Sequence, residues 1–198
     1  MNRSALKYRF CYPQIDRTQV VNFLTSQREE LYLQDESAVI QVADLVFQNG
    51  GVWAGFDHAK QLQSMMGFFF GDPANDFAEK EVAFMYVAAI APAFRLTRAF
   101  HVGLKQVLDQ FQMMGLEAIR MQAKATDKYA NKLYGRFARP ISEGLSLRGQ
   151  PVITYGGSID DALAYLEPKK ATSEKTHMPT KILAKNAKHA AGLMPVQL

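Results

Sequence analysis

Residues 92–108 read PAFRLTRAFHVGLKQVL. A proline and two arginines, Arg95 and Arg98, sit in a turn that runs straight into an amphipathic helix. Exposed backbone N–H groups and the positive end of a helix dipole make such a junction a place where phosphate binds. Guanidinium groups suit the same anion. The turn holds no glycine, the residue that usually lets backbone come close to a phosphate. Other chemistries find less support. His58, His101, His177 and His189 show no ligand spacing with one another or with acids, and Asp57–His58 lacks further partners, so no metal site is expected. There is no Gly-x-Ser-x-Gly, no phosphate-loop glycine-lysine motif and no Cys–His pairing.

The chain of 198 residues is long enough for one well-packed domain, and 48% apolar residues supply a core. Its one cysteine, Cys11, excludes an internal disulfide and a cysteine-built zinc site. The apolar run from Val82 to Phe94 is too short to span a bilayer, and MNRSALKYRF has no long apolar core of a secretion signal. The expectation is a soluble cytoplasmic protein with no membrane partner. Charge divides the chain. Residues 169–198 carry six lysines against Glu174 alone, a net +5 within a total of +4, so the body is slightly acidic. A domain over 1–167 and a basic tail over 168–198 are therefore expected. Such a tail suits nucleic acid or an acidic protein surface, or is simply solvated. No aromatic residue interleaves its lysines.

The elements that would position the turn follow from periodicity. KYRFCY (7–12) alternates as a strand, ended by Pro13. Asp16 and Gln19 form a capping-box pattern for a helix over 16–33. ESAVIQVADLVFQNGG gives a second helix with an apolar face of Val39, Ile40, Ala43, Val46 and Phe47, stopped at Asn49-Gly50-Gly51. Strands follow at 52–56 and 64–71. EVAFMYVAAIAP (81–92), nearly all apolar, reads as a central strand buried on both faces. The helix over 98–114 carries a stripe of Phe100, Leu104, Val107, Leu108 and Phe111, closed by Gly115. A strand at 118–124, a helix at 126–138, one or two strands within 146–157 and a short helix capped by Ser158 complete the body. Met65, Met66, Met113 and Met114 read as gap-filling core. The order is β α α β β β α β α β(β) α: an α/β chain with a mixed sheet, antiparallel in its hairpins and parallel across a βαβ unit.

That order, with these residues, resembles the GNAT superfamily of N-acetyltransferases over about residues 7–160. Its first motif is a strand ending in an apolar segment and Pro, then an aromatic, then Arg/Gln-x-x-Gly-x-Gly/Ala opening a helix. YVAAIAPAFRLTRAFHVGL matches with Pro92, Phe94 and Arg95. The second, Asn-x-x-Ala-x-x-Leu-Tyr, is matched by DKYANKLY with Asp127, Ala130, Leu133 and Tyr134. The resemblance implies an acyl-CoA N-acyltransferase fold with a central mixed sheet of six or seven strands between helices. It implies acetyl-CoA as co-substrate, its pantetheine arm on the backbone of Ala88, Ala89 and Ile90. Its pyrophosphate would lie on the turn of Arg95, Leu96, Thr97, Arg98, Ala99 and Phe100, with Asp127 nearby. Tyr134 takes the position of a general acid that protonates the leaving thiolate. Glu81 begins the central strand, where some relatives keep a base. Tyr86 lies mid-strand, either lining the acceptor cleft or in the core. The chain departs from the motif at both small-residue positions, which hold Arg98 and Phe100, and Asp127 replaces Asn.

Two functions follow from the resemblance. One is acyl transfer from acetyl-CoA to a small-molecule or protein amine. The other is a GNAT-like domain without catalysis, a binding or structural component of a larger assembly such as a virus particle. There the end of the tail, HAAGLMPVQL, would dock on a protein partner.

Overall fold

The computed structural model describes residues 5–95 and 97–167. The basic segment 168–198 and Leu96 lie outside them. Among the described residues, seven strands form one sheet: β1 (Lys7–Phe10), β2 (Gly50–Phe56), β3 (Leu62–Phe70), β4 (Val82–Ile90), β5 (Ala118–Lys124), β6 (Arg139–Leu145) and β7 (Pro151–Ser158). Their order is β1-β2-β3-β4-β5-β7-β6. Strands β1 to β4 pair antiparallel, β4 and β5 pair parallel, and β5, β7 and β6 pair antiparallel. This is the mixed sheet expected from hairpins followed by a βαβ unit.

Helices cover both faces. On one side lie α1 (Pro13–Ser26) and α2 (Glu36–Asn49); on the other, α3 (Ala99–Met113), α4 (Lys128–Tyr134) and α5 (Ile159–Leu166). Each side has its own core. Val20, Leu24, Val39 and Val46 pack on Met65, Phe69 and Phe84. Leu104, Val107, Leu108 and Phe111 pack on Phe68, Ile119 and Met121 from the other face. β4 lies between them: Val82–Phe84 and Val87 are buried, whereas Met85, Tyr86, Ala89 and Ile90 are half-buried and Ala88 is exposed, so burial on both faces holds for its first part only. The Asp35 carboxylate accepts the Ala38 N–H at 2.8 Å to cap α2, and the Ser158 hydroxyl accepts the Asp161 N–H at 3.0 Å to cap α5. Gly115, at φ +81°, ends α3 in the left-handed conformation open to glycine.

Several expectations are corrected. Asp16 does not cap a helix. Pro13 opens α1 from the first turn, where its missing N–H costs nothing. Asp16 lies one turn in, buried, accepting the Tyr12 N–H at 2.9 Å and two Arg9 donors at 2.7 and 2.8 Å. α1 ends at Ser26 rather than 33, and Tyr32 takes φ +54°, which a right-handed helix excludes. The buried face of α2 includes Val42 and leaves Ile40 exposed. Met113 and Met114, at the end of α3, are exposed rather than core. The helix expected over 126–138 is one short segment, and RPISEGL beyond it is the edge strand β6. Its every residue is exposed and it contains Pro140, so it shows no alternation to read.

Candidate active site

The parallel ladder between β4 and β5 joins Val82–Met85 to Ala118–Met121 and stops. Both strands continue, β4 along β3 to Ile90 and β5 along β7 to Lys124, so a wedge opens between them. A bulge marks the hinge of the wedge. Gly67 faces Val87 and Phe68 faces Met85, which leaves Tyr86 unmatched. One extra residue bends a strand and strengthens its twist, and here it lies next to the last paired residue. Beyond it, the Ala91 N–H bonds to Gln63 O at 2.8 Å. Strand alternation then turns the polar backbone of Ala89 toward β3 and that of Ala88 and Ile90 into the wedge.

The wedge holds a cleft of about 210 Å³ that passes between the two faces of the sheet. Phe100, Leu104, Ala130, Tyr134 and Phe137 line it from the side of α3 and α4. Glu30, Leu31 and Tyr32 of the α1–α2 connection, with Tyr86, Lys124 and Arg148, line it from the other side. Tyr134 packs edge-on against Tyr155, with ring centres 5.8 Å apart. Burial, with a smaller contribution from the Asp127 charge, pushes its phenol up to about 12. It holds its proton throughout the neutral range.

The other expected site residues are dispersed. Glu81 is exposed beside the first residue of β4, roughly 20 Å along the strand from Ala88 by strand rise, and does not reach the cleft. Asp127 lines the cleft, but its Oδ1 accepts the amides of Tyr129 and Ala130 at 3.0 Å each and caps α4. Arg95 turns away from the start of α3. It donates to Ile90 O at 3.1 Å, Gln27 Oε1 at 3.0 Å and Glu30 Oε2 at 2.5 Å, and so binds the α1–α2 connection to the end of β4. The Thr97 hydroxyl donates to Phe94 O at 2.6 Å and accepts the Ala99 N–H at 3.1 Å, which occupies one amide of the helix start. Ala99 O accepts the Tyr8 hydroxyl at 2.7 Å. Arg98 is exposed at the N-cap of α3, and among the described residues it forms no ion pair. Phe100 is half-buried, packed on the α3 core while lining the cleft. Among the described residues, no three metal-binding side chains converge.

Sequence reading missed the wall opposite Tyr134. Arg148, in the β6–β7 turn, donates to Leu31 O at 2.9 Å and lies 5.9 Å from the Tyr86 ring centre. Lys124 stands over the Tyr32 ring. A helix drawn through 33 hid Glu30 and Tyr32. The available signal was position, since Lys124 ends the strand that follows the βαβ crossover.

No protein-family model and no curated protein matches the chain. Solved structures do. An acetyltransferase of the GNAT family from Staphylococcus aureus aligns with a TM-score of 0.60 at 13% identity, over 78% of this chain and 99% of that one. A ribosomal-protein-S5-alanine acetyltransferase from Vibrio fischeri aligns with a TM-score of 0.59 at 9% identity, over 81% and 97%. A spermidine N-acetyltransferase chimera including Vibrio cholerae sequence aligns with a TM-score of 0.57 at 15% identity, over 83% and 100%. At such identities the likeness is one of architecture, and it coincides with a sheet parted between β4 and β5: the chain has the fold of the GNAT superfamily of N-acetyltransferases.

Proposed function

We propose that the protein transfers an acetyl group from acetyl-CoA to an amine. The wedge between β4 and β5, with the protonated Tyr134 on its wall, carries this reading. Acetyl-CoA supplies a thioester carbonyl open to attack. The backbone of Ala88, turned into the wedge, suits the amides of a pantetheine arm. The exposed Arg98 guanidinium beside the first turn of α3 suits a pyrophosphate, in place of the glycine amides the turn lacks. The amine nitrogen attacks the carbonyl carbon from the α1–α2 side. The new C–N bond forms, the C–S bond breaks, and the sulfur leaves with the proton of Tyr134. The excess proton of the amine passes to water, since Glu30 is held by Arg95 and Asp127 caps α4, and Tyr134 regains its proton from water. Most of the acceleration comes from holding the two reactants in line across the sheet. A cytoplasmic setting goes with this reading, as does a separable tail over 168–198 that contacts an acidic partner.

The crowded turn favours a second reading, a domain that has lost the coenzyme and serves as a binding component. Titration calorimetry with acetyl-CoA and CoA separates the two. Micromolar affinity that falls about tenfold in Arg98→Ala, and much less in Arg95→Ala, is expected. Absence of heat and of thermal shift at millimolar coenzyme overturns the acetyltransferase reading.

A further inference from the structure

The acceptor side of the cleft holds two cations, Lys124 and Arg148, that form no ion pair among the described residues. Glu30, on the same wall, is paired instead with Arg95. Asp127 is the nearby acid, but one of its oxygens is committed to the start of α4. Lys124 and Arg148 are close enough to repel: after burial, the Arg148 charge is the next cause that lowers the Lys124 ammonium from its usual range, and Asp127 offsets only part of this. Arg148 uses one donor on Leu31 O, and the remainder of its fork faces no protein acceptor among the described residues. The rings of Tyr32 and Tyr86 lie against the two cations and hold them in place without neutralising them.

We infer that the acceptor amine carries a carboxylate or phosphate close to its nitrogen, and that Lys124 and Arg148 bind that group on the α1–α2 side of the cleft. The inference rests on the acetyltransferase reading for the identity of the second reactant. An anion between the two cations removes their mutual repulsion and supplies the acceptor their free donors lack. It also sets direction. Lys124 and Arg148 line one wall and Tyr134 the other, so an amine anchored by its acidic end points its nitrogen into the wedge. A cleft of about 210 Å³ is small for an enclosed ligand, which fits an acceptor that enters by one short, charged end.

Paired probes test this on the full chain: phenylalanine against phenethylamine, lysine against cadaverine, and phosphoethanolamine against ethanolamine. Binding is read by calorimetry in the presence of CoA, and turnover by thiol release from acetyl-CoA. The acidic member of at least one pair is expected to bind at least about tenfold tighter than its partner. The amino-acid and phosphate arms show which acid is meant. Lys124→Gln and Arg148→Gln are expected to abolish the preference while acetyl-CoA affinity stays in place, and Arg148→Lys to restore part of it. Equal or stronger use of the uncharged or cationic amines overturns the inference, as does acetyl-CoA binding with no acidic probe bound at millimolar concentration. Loss of acetyl-CoA binding itself strikes the underlying reading instead, whereas binding of an acidic probe that depends on Lys124 and Arg148 supports the anion site on its own.

Discussion

Tyr134 stands where two demands meet. Its ring completes a cluster with Phe137 and Tyr155, and its hydroxyl belongs to a residue that lines the cleft. Tyr134→Phe keeps the ring and removes only the proton donor. General-acid assistance is worth about 10²- to 10⁴-fold. The variant is therefore expected to lose that much in kcat with little change in acetyl-CoA affinity, as measured by steady-state kinetics beside calorimetry. A purely structural role would instead leave kcat within a few-fold. The pH dependence has a definite sign. An ordinary tyrosine loses its proton near about 10, whereas burial holds Tyr134 protonated until pH nears about 12. The rate should thus show no loss from this group between about pH 9 and 11, the range in which an unperturbed phenol would switch off.

At the scale of elements, β1 and α1 are joined by Asp16. Its buried carboxylate takes two bonds from Arg9 and one from the Tyr12 N–H, and these bonds hold its pKa below the usual carboxylate range, Arg9 being the largest cause. Asp16→Asn keeps the shape and loses the charge. It is expected to cost about 1–3 kcal/mol, less because Arg9 stays half-exposed to water. A depressed pKa contributes stability that is present above the unfolded value near about 4 and lost as pH falls through the folded value. Urea midpoints of the two proteins should therefore differ at neutral pH and converge in acid. A gap that persists unchanged in acid would mean that the charge is not the cause. The same junction shows where sequence reading reached its limit. Strand β4, the α3 stripe, Gly115 and the Ser158 cap were legible, because an apolar run, a 3.6-residue period, a left-handed stop and an N-cap each leave a local trace. Asp16 followed by Gln19 looks like a cap, but the bond that decides its role goes to Arg9 in another element. Likewise Arg95 matched a motif, and its partners Gln27 and Glu30 lie more than 60 residues earlier in the chain. The bulge at Tyr86 and the exposed edge strand β6 arise from pairing, which no local pattern records.

Across the described domain, the sheet separates two cores, and the cleft in the wedge is lined from both sides. The part of the chain that builds this, up to residue 167, has a net charge near zero, while 169–198 carries +5. If the tail is separable, its charge acts on partners rather than on the fold. Deleting 169–198 is then expected to leave the thermal midpoint within a few degrees and acetyl-CoA affinity unaltered, since every residue placed at the site lies before 149. Weak attraction to a polyanion should change instead. Each phosphate neutralised by a lysine adds about 0.9 to the slope of log affinity against log salt on duplex DNA. Six lysines therefore predict a steep slope for the full chain, of order −5 if all engage, and a nearly flat one for the truncated protein, whose slight acidity repels the duplex. Fluorescence anisotropy with a labelled duplex across a salt series measures both. Equal, shallow slopes would remove nucleic acid from consideration and leave an acidic protein surface as the tail's partner. A drop in the thermal midpoint on truncation would mean that the segment packs on the domain and that the boundary at 168 is misplaced.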